Sequence, residues 1–312
     1  MVGWSIDRIP SLEGNRVVVT GANTGIGYEA ARAFADRGAH VVMACRSLER
    51  GEAARDELFD GIPDGDVSVR ELDLADLASV RSFAETVDDE LHVLCNNAGV
   101  MAIPRRETAD GFEYQFGVNH LGHFALTGLL LERLAHTPGE SRIVTQSSGV
   151  HERGRIDFDD LQHERRYDKW SAYAQSKLAN VLFAYEFDRR LRANGIADVT
   201  SVACHPGYAD TDLQRRGPEA MGSTIRLWAM KLANALLAQS PHQGALPMLY
   251  AATVDEVEGG DYIGPGGFMN MRGSPEKQRS SGRSYDEATA DRLWTVSEQL
   301  TDINYDFEAI TR

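Results

Sequence analysis

Short runs of apolar, mostly β-branched residues alternate along the first two thirds of the chain with longer stretches whose apolar positions recur at helical spacing. The first run, Arg16–Thr20 (RVVVT), is typical of a buried strand. The stretch after it, Gly25–Arg37, is predicted to be a helix. The other predicted strands are His40–Ala44, Val67–Leu72, Leu91–Cys95, Arg142–Gln146 and Asp198–Ala203. The other predicted helices are Leu48–Phe59, a helix capped by Asp76 and ending near Val87, Gly111–His136 and Ser171–Asn194.

Repetition of strand, helix and strand predicts a parallel sheet, because parallel strands need a crossover that a helix can supply. Such crossovers are right-handed and place helices on both faces of the sheet. No linker rich in Pro, Gly or Ser divides the chain, and no internal repeat is present. We therefore expect an α/β fold in which residues 1–312 form a single doubly wound domain. Its seven-stranded parallel sheet should have the order 3-2-1-4-5-6-7, with a short C-terminal appendage from about residue 270.

Two segments lie outside the regular alternation. His151–Trp170 contains eleven charged residues among twenty, which predicts a solvated excursion that either borders a cleft or forms a surface loop. Residues 208–240 include the apolar, tryptophan-bearing stretch Thr224–Ala238. Directly after it, a helix is predicted to begin at Pro241 with Ser240 as its cap.

Acidic residues outnumber basic ones by 47 to 32, which gives a formal net charge of −15. A surface of this sign repels nucleic acid and anionic membranes, so we expect neither as a partner. Only four of the basic residues are lysines. This acidic, lysine-poor composition suits a salt-rich cytoplasm, and it is equally typical of a GC-rich genome, which favours arginine over lysine.

Three cysteines, Cys45, Cys95 and Cys204, lie far apart, and no Cys-x-x-Cys occurs. Their odd number and spacing argue against a disulfide framework or a zinc site and favour a reducing compartment. Met1–Gly14 lacks the apolar segment of a signal peptide, and the longest uncharged stretch, Leu232–Val254, is interrupted by polar residues. We expect a cytoplasmic protein without a membrane span.

A glycine-rich turn, GANTGIG, joins the first predicted strand to the first helix. Gly21 permits the tight turn, Gly25 lets the backbone approach a pyrophosphate, and Gly27 allows close packing of helix on strand. The helix N-terminus supplies N–H groups and a positive dipole end for the anion. The turn therefore predicts dinucleotide binding in a Rossmann-type fold. The candidate cofactor-binding residues here are Gly21, Asn23, Thr24, Gly25, Ile26 and Gly27.

The end of the second predicted strand bears on the choice of nicotinamide cofactor. Enzymes that prefer NAD usually have an acidic residue there, which binds the ribose 2′-hydroxyl. This chain has Cys45 at that position, and Arg46 follows. A guanidinium suits a 2′-phosphate, so NADP(H) is favoured. Because the glycine turn contains no second basic residue, NAD(H) stays possible.

Tyr173 and Lys177 form a Tyr-x-x-x-Lys pair near the start of a predicted helix, and a spacing of four places them on one face. Tyrosine, with a pKa of about 10, is a poor base at neutral pH. A nearby ammonium, helped by the charge of an oxidised nicotinamide, favours the tyrosinate, so we expect a lowered pKa for Tyr173. An isolated pair of this kind usually marks a surface helix, but this one follows the fifth predicted strand.

The glycine spacing Gly-x-x-x-Gly-x-Gly, together with this Tyr-x-x-x-Lys pair, resembles the short-chain dehydrogenase/reductase family. The resemblance covers nearly the whole chain. Within the family, GANTGIG, ACR at 44–46, VNHLGHF at 118–124, SKLANVLF at 176–183 and DRLWTVSEQL at 291–300 are similar to the retinol dehydrogenase and WW-domain oxidoreductase branch. That branch generally uses NADP(H) and interconverts lipophilic carbonyls and alcohols, including retinoids.

The resemblance implies a catalytic role for four residues. Tyr173 would transfer the proton, and Lys177 would tune it and bind the ribose. A serine at the end of the fifth strand would polarise the substrate oxygen, with Ser148 as the match and Ser147 as the alternative. Asn119 matches a helix asparagine that holds a water, which relays protons through the lysine.

The resemblance also implies further cofactor contacts. The residues matched to them are Asp73, Leu74, Asn97, Ala98, Gly99, Pro206, Gly207 and Thr211. The first pair would contact the adenine side, although Asp73 could equally cap the next turn. The Asn-Ala-Gly group would bond neighbouring strands and leave room for the cofactor, and the last three would lie beside the nicotinamide. Residues 208–240 would form a substrate lid, with a packed core helix as the alternative.

Two histidines, His120 and His123, stand three residues apart in a predicted helix. No cysteine or acidic residue completes a ligand set at fitting spacing, so we expect them to pack within the helix and predict no metal site.

These features together predict an NADP(H)-dependent oxidoreductase that interconverts a small-molecule ketone or aldehyde and its alcohol. The alternatives are an NADP(H)-sensing protein without turnover, a sugar-nucleotide epimerase and a double-bond reductase resembling protochlorophyllide reductase. Epimerases usually have a different glycine spacing and a larger C-terminal domain. Many relatives form dimers or tetramers, so a homo-oligomer is possible.

Overall fold

An eight-stranded sheet forms the centre of the protein, with the strand order β3-β2-β1-β4-β5-β6-β7-β8. The strands are β1 (Arg16–Thr20), β2 (His40–Cys45), β3 (Val67–Glu71), β4 (Val93–Asn96), β5 (Ser141–Gln146), β6 (Val199–Cys204), β7 (Tyr262–Pro265) and β8 (Pro275–Gln278). The computed structural model describes residues 3–87, 90–207, 239–267 and 270–310.

The first seven strands are all parallel, which confirms the predicted order 3-2-1-4-5-6-7. An eighth strand, β8, pairs antiparallel with β7 at the edge of the sheet. The sequence does not predict β8, because the strand is only four residues long and its central residues, Glu276 and Lys277, are exposed charges without apolar alternation. Part of the expected C-terminal appendage therefore belongs to the sheet.

Helices cover both faces of the sheet. The sequence of β1 is continuously apolar because its side chains are buried on both of these faces. Val17 and Val19 pack on one side with residues of the first helix, and Val18 packs on the other side with Phe124. The helices are α1 (Gly25–Asp36), α2 (Leu48–Gly61), α3 (Leu77–Thr86), α4 (Tyr114–Phe116), α5 (Gly122–His136), α6 (Lys169–Ala193), α7 (Pro241–Thr253), α8 (Glu287–Thr301) and α9 (Phe307–Ile310). Within the described ranges, none of them has the length and hydropathy that crossing a bilayer requires.

Two helix starts follow the predicted capping chemistry. The Asp76 carboxylate accepts the backbone N–H of Ala78 at 2.9 Å and so caps α3. Ser240 caps α7 through the N–H of Gln243, and Pro241 occupies the first helical position.

The long helix predicted for Gly111–His136 is interrupted in the structure. The Glu113 carboxylate caps the short helix α4, and a π-helical turn, Gly117–Leu121, then leads into α5. At the start of α5, Gly122 packs against the loop that follows β3. A Cβ on Gly122 would lie 2.6 Å from the Leu74 carbonyl oxygen. Periodicity alone does not reveal such an interruption, because the apolar face continues through it.

The charged segment His151–Trp170 is only partly solvated. Most of its charged side chains are exposed, as expected, but Ile156 and Leu161 are buried against α6. Gln162 and Tyr167 also bind the N-terminal end of α4, through Glu113. The segment is therefore docked on the domain by a few apolar and amide side chains between its charges.

The C-terminal helices close an aromatic cluster over α5 and α6. Trp294 of α8 stacks against Phe183 and lies 4.5 Å, centroid to centroid, from the ring of Tyr305. The Tyr305 hydroxyl donates to the carbonyl oxygen of Phe124 at 2.6 Å. These contacts bury the apolar faces of both helices under the end of the chain.

We expect Trp294→Ala to lower the free energy of unfolding by about 3–5 kcal/mol, because it leaves a cavity among fully buried rings. Denaturant unfolding measures the change. Gln299→Ala, at an exposed position of the same helix, serves as the control and should change stability by less than about 0.5 kcal/mol. Equal effects of the two substitutions would contradict the role given to the cluster.

Candidate active site

The glycine turn lies at the carboxyl end of β1, where α1 begins. Gly21 and Gly25 both have positive φ, +66° and +59°, a conformation that favours glycine. The Gly21 N–H donates to the carbonyl oxygen of Ala44 at 2.8 Å, which ties the turn to β2. Thr24 is the N-cap, and the first turn of α1, which includes Ile26, contains no acidic residue. This helix N-terminus is therefore suited to an anionic group.

The third glycine of the turn packs against the end of β4. A Cβ on Gly27 would lie 2.5 Å from both Asn97 Nδ2 and the Gly21 carbonyl oxygen. Asn97 Nδ2 donates to the Thr20 carbonyl oxygen at 2.7 Å, and Thr20 Oγ1 accepts the N–H groups of Asn97 and Ala98 at 2.9 Å each. The predicted amide bonding between neighbouring strands is thus present, and it fixes the turn against residues 97–99.

Two arginines, Arg46 and Arg106, contact the side chain of Tyr114 near the end of β2. Arg46 is exposed, and its guanidinium donates to the hydroxyl of buried Tyr114 at 3.0 Å. The guanidinium carbon of Arg106 lies 3.5 Å from the centre of the Tyr114 ring. The sequence carries no signal for this group, because it depends on a short hairpin in which the Tyr114 N–H donates to the Arg106 carbonyl oxygen.

Cys45 lies inside the fold next to this arginine. Its thiol accepts hydrogen bonds from the backbone N–H groups of Ala22 and Asn23, and burial raises its pKa to about 11. The thiol is therefore neutral and helps to hold the glycine turn in place.

Asp73 and Leu74 follow β3 and have visible structural roles. Asp73 Oδ1 accepts the N–H of Ala75 at 3.0 Å, and the Asp73 N–H donates to Ser79 Oγ at 3.0 Å. Leu74 is buried in the core. The capping role considered for Asp73 is present, and its proposed contact with an adenine stays a prediction.

Tyr173 and Lys177 are both almost fully buried on α6, with 4% and 3% of their surfaces exposed. Lys177 Nζ lies 5.9 Å from the centre of the Tyr173 ring and donates to the Gln146 carbonyl oxygen at 3.1 Å. The side chain of Ser148 lies close enough to the Tyr173 hydroxyl to favour its ionised form. Ser147 Oγ instead donates to the Lys177 carbonyl oxygen at 2.8 Å. Of the two serines, Ser148 is therefore the one whose side chain lies beside the Tyr173 hydroxyl.

Burial dominates the acid–base properties of this pair. It raises the pKa of Tyr173 to about 12, with the Ser148 side chain as an opposing effect, and it lowers the pKa of Lys177 to about 8. The structure thus gives the opposite direction to the lowered tyrosine pKa expected from the sequence, because desolvation by burial is the largest effect on this phenol. At neutral pH, Tyr173 retains its proton.

Asn119 lies in the π-helical turn, and both the oxygen and the nitrogen of its side-chain amide form hydrogen bonds. Its Oδ1 accepts the N–H of Val100 at 2.8 Å, and its Nδ2 donates to the Val100 carbonyl oxygen and to Ser176 Oγ at 2.9 Å. A Cβ on Gly99 would lie 3.0 Å from Asn119 Oδ1 and 3.5 Å from Lys177 Nζ. Asn119 and Lys177 therefore flank Gly99, whose missing side chain leaves space between them.

The two helix histidines bind protein groups. His123 Nε2 lies 2.9 Å from Thr20 Oγ1, and its Nδ1 donates to the Asn119 carbonyl oxygen at 3.0 Å. His120 Nε2 lies 2.8 Å from Ser297 Oγ. Burial lowers the pKa of His120 to about 3 and that of His123 to about 4, so both are neutral. Among the described residues, no group of three or more potential metal ligands occurs.

Pro206 and Gly207 follow β6 as predicted, and Gly207 has a φ of +68°. The Pro206 carbonyl oxygen accepts a hydrogen bond from Gln239 Nε2 at 3.2 Å, which joins the two ends of residues 208–238. Thr211 and the stretch Thr224–Ala238 lie outside the described residues, so their predicted roles stay predictions.

Comparisons with known proteins agree with this arrangement. The family model of the short chain dehydrogenases matches residues 15–221. Human retinol dehydrogenase 12 is 43% identical over 300 residues, which covers 95% of this chain and 89% of that protein. Zebrafish (Danio rerio) polyprenol dehydrogenase is 41% identical, with 94% and 89% covered. The chain belongs to the short-chain dehydrogenase family.

Solved structures show the same fold. The structure of an uncharacterised protein from Mycobacterium paratuberculosis has a TM-score of 0.81 and 43% identity, and the match covers 97% of this chain and 99% of that one. A protein from Beutenbergia cavernae, crystallised with NADP bound at low occupancy, has a TM-score of 0.59 and 27% identity. That match covers 78% of this chain and 91% of the other.

We expect Gly27→Ala to weaken NADPH binding at least tenfold, because a methyl group 2.5 Å from the Gly21 carbonyl oxygen must displace the turn. Fluorescence titration with NADPH measures the dissociation constant. Gly61→Ala is the control, since a Cβ there meets no atom within 4 Å. Unchanged NADPH affinity in Gly27→Ala would contradict the predicted use of the turn.

Proposed function

We propose that this protein is an NADP(H)-dependent oxidoreductase that interconverts a ketone or aldehyde and the corresponding alcohol. The observation that carries the proposal is the burial of Tyr173 beside Ser148 and the Lys177 ammonium: Tyr173 and Lys177 are 4% and 3% exposed, and Lys177 Nζ lies 5.9 Å from the centre of the Tyr173 ring. A protonated phenol, a second hydroxyl and a cation in one dry pocket suit proton delivery to a carbonyl oxygen.

The residues around the glycine turn fit a nicotinamide dinucleotide. The positive φ values of Gly21 and Gly25 and the close approach at Gly27 leave backbone N–H groups at the start of α1 for a pyrophosphate. A Cβ on Gly99 would crowd Asn119 and Lys177, so glycine at this position lets these two side chains lie close to the proposed cofactor side. Family membership and the NADP-containing relative from Beutenbergia cavernae support the same class of cofactor.

The choice of NADP(H) over NAD(H) depends on Arg46. The residues at the end of β2 provide no carboxylate for a ribose 2′-hydroxyl, and the Arg46 guanidinium uses one N–H for Tyr114. Its other N–H groups can bind a 2′-phosphate, and the Arg106 guanidinium on the Tyr114 ring adds a second positive charge nearby.

NADPH, when bound, supplies the hydride that reduces the carbonyl carbon. Tyr173 donates its phenolic proton to the carbonyl oxygen, which becomes the alcohol hydroxyl. Ser148 Oγ hydrogen-bonds that oxygen and stabilises the negative charge that develops on it. Because burial keeps Tyr173 protonated at neutral pH, the phenol can donate its proton for reduction, and alcohol oxidation requires the tyrosine to lose its proton first.

Lys177 and Asn119 complete the proposed relay. The Lys177 ammonium, held by the Gln146 carbonyl oxygen, stabilises the tyrosinate that remains after proton transfer. With a pKa near 8, Lys177 can also pass a proton towards Tyr173. Asn119 is proposed to hold the water that connects this lysine to solvent.

The substrate is proposed to be lipophilic. Relatives over 40% identical are named retinol dehydrogenase and polyprenol dehydrogenase, and both names refer to alcohols with long apolar chains. An apolar wall also exists at the tyrosine: the Trp170 indole, 49% exposed, lies edge-on to the Tyr173 ring with centroids 6.3 Å apart.

We expect Tyr173→Phe to lower the rate of carbonyl reduction by about 10³–10⁴-fold, because it removes only the proton donor. NADPH oxidation against a panel of aldehydes, ketones and quinones, at low and at molar salt, measures turnover. The NADPH dissociation constant should stay within about twofold of the unsubstituted protein. Tyr250→Phe, on α7, is the control and should retain full activity. Near-normal reduction by Tyr173→Phe would remove Tyr173 from the mechanism.

We expect Arg46→Asp to change the NADPH/NADH ratio of kcat/KM by about 100-fold or more towards NADH, because it replaces a phosphate ligand by a repelling carboxylate. Arg105→Asp is the matched control, since Arg105 is an exposed neighbour of the same site that pairs with Glu107 instead. An unchanged ratio in Arg46→Asp would contradict the role given to this arginine.

A further inference from the structure

A buried histidine connects the loop of the catalytic serine to the C-terminal part of the chain. His151, 1% exposed, lies in the 3₁₀ turn Gly149–Arg153 that follows β5. Its Nδ1 is 2.7 Å from the Ser148 carbonyl oxygen, and its Nε2 is 3.0 Å from the backbone nitrogen of Ser281. A carbonyl oxygen only accepts and an amide N–H only donates, so Nδ1 carries the proton and Nε2 is bare. The two contacts together require the neutral ring.

The Ser148 end of this bridge is part of the proposed active site. The Ser148 carbonyl oxygen also accepts the backbone N–H of His151 at 2.9 Å, so two donors from one residue hold this peptide. The side chain of the same serine lies beside the Tyr173 hydroxyl. A displacement of the Ser148 peptide therefore moves the hydroxyl that meets the phenol.

The Ser281 end is firmly anchored. Ser284 Oγ donates to the Ser281 carbonyl oxygen at 2.6 Å, and the Ser284 hydroxyl lies 2.6 Å from that of Ser280. Ser280 Oγ is in turn 2.7 Å from the hydroxyl of Tyr185 on α6. Arg283 Nη1 donates to the Gly154 carbonyl oxygen at 3.2 Å, at the far end of the 3₁₀ turn. Residues 280–285 thus form a fixed support for the histidine.

We propose that His151 is a positioning residue that holds Ser148 against Tyr173 by bridging to residues 280–285, and that its protonation disables carbonyl reduction. The proposal rests on the function proposed above. Protonation places a second N–H on the ring, at Nε2, directly opposite the Ser281 N–H. Two donors then face each other, the bridge opens at its Ser281 end, and the ring that binds the Ser148 carbonyl oxygen is no longer fixed to residues 280–285.

The surroundings of the histidine set the pH at which this occurs. Burial lowers the pKa of His151 below its ordinary value of about 6.5, and the hydrogen bond to the Ser148 carbonyl oxygen and the neighbouring Glu152 carboxylate oppose that shift. The Tyr262 phenol lies 3.3 Å from Nδ1, on the β7 side of the ring. The titratable and charged groups that face His151 from the packed elements are Glu152, Tyr185, His205, Tyr262 and Arg283. Reduction is therefore expected to be constant at neutral pH and to fall as pH drops through the His151 pKa.

This decrease in kcat at low pH, called the acid limb of the pH profile below, is distinguishable from the titration of the proton donor Tyr173. Protonated Tyr173 is the form required for reduction, so acid does not remove it, and loss of its proton would lower the rate only at high pH. A fall in kcat on the acidic side must come from another group.

The test compares His151→Ala and His151→Gln in the full-length protein. The alanine variant should lose about 10- to 100-fold in kcat, with an NADPH dissociation constant within about twofold of the unsubstituted protein. The glutamine variant offers one donor and one acceptor, so it should recover kcat to within about threefold at pH 7.5. Because an amide does not titrate, its acid limb should disappear.

His92→Gln is the matched control. His92 Nδ1 also accepts a backbone N–H, that of Arg16 at 3.1 Å, and burial also lowers its pKa, but it lies at the opposite end of the sheet, before β4. Its variant should keep the acid limb of the unsubstituted protein.

The His151 variants distinguish failure of this proposal from failure of the proposed function. An acid limb that persists in His151→Gln, or a kcat within twofold in His151→Ala, would overturn this proposal while leaving the proposed function intact. A His151→Ala variant that fails to fold leaves the pH profile of His151→Gln as the deciding measurement. Failure of the unsubstituted protein to reduce any carbonyl of the panel would overturn both proposals.

Discussion

Exclusion of water from the space shared by Tyr173 and Lys177 is the constraint on which the rest of the site depends. Burial disfavours charge on both side chains, and Lys177 forms no ion pair with a carboxylate of the described residues. The lysine is held instead by the Gln146 carbonyl oxygen, which satisfies an N–H without neutralising the ammonium. A carboxylate at that position would fix the charge of Lys177 and weaken its effect on the phenol.

The two halves of the sheet contribute differently to this pocket. The strands β1, β2 and β4 end in the glycine turn, in Arg46 and in residues 97–99, which form the proposed cofactor side. The strand β5 ends in the serine pair, on the proposed substrate side, and β6 is followed by Pro206, which is predicted to lie beside the nicotinamide. His123 connects the end of β1 to the π-helical turn, because its ring nitrogens contact Thr20 Oγ1 and the Asn119 carbonyl oxygen.

Local patterns in the sequence predict the features that depend on neighbouring residues. The continuous apolar run of β1, the glycines of the turn and the Tyr173–Lys177 spacing each follow from a few adjacent positions, and the structure brings them together at one edge of the sheet. Features that depend on distant partners are not predictable in this way. The direction of the Tyr173 pKa depends on burial by other elements, and the Arg46–Tyr114 contact joins residues 68 positions apart. The strand β8 has no apolar signal because it lies at a charged edge.

Residues 280–310 form contacts that are distant in sequence: His151 and Ser281 are 130 positions apart, and Tyr305 donates to the Phe124 carbonyl oxygen 181 positions before it. Long-range contacts of this kind form late, after the loops between them have closed. During synthesis, the strands that form the cofactor side leave the ribosome well before residues 280–310 do. A nascent chain can therefore form the strands of the proposed cofactor side before residues 280–310 are available to pack against α5, α6 and the turn that contains His151.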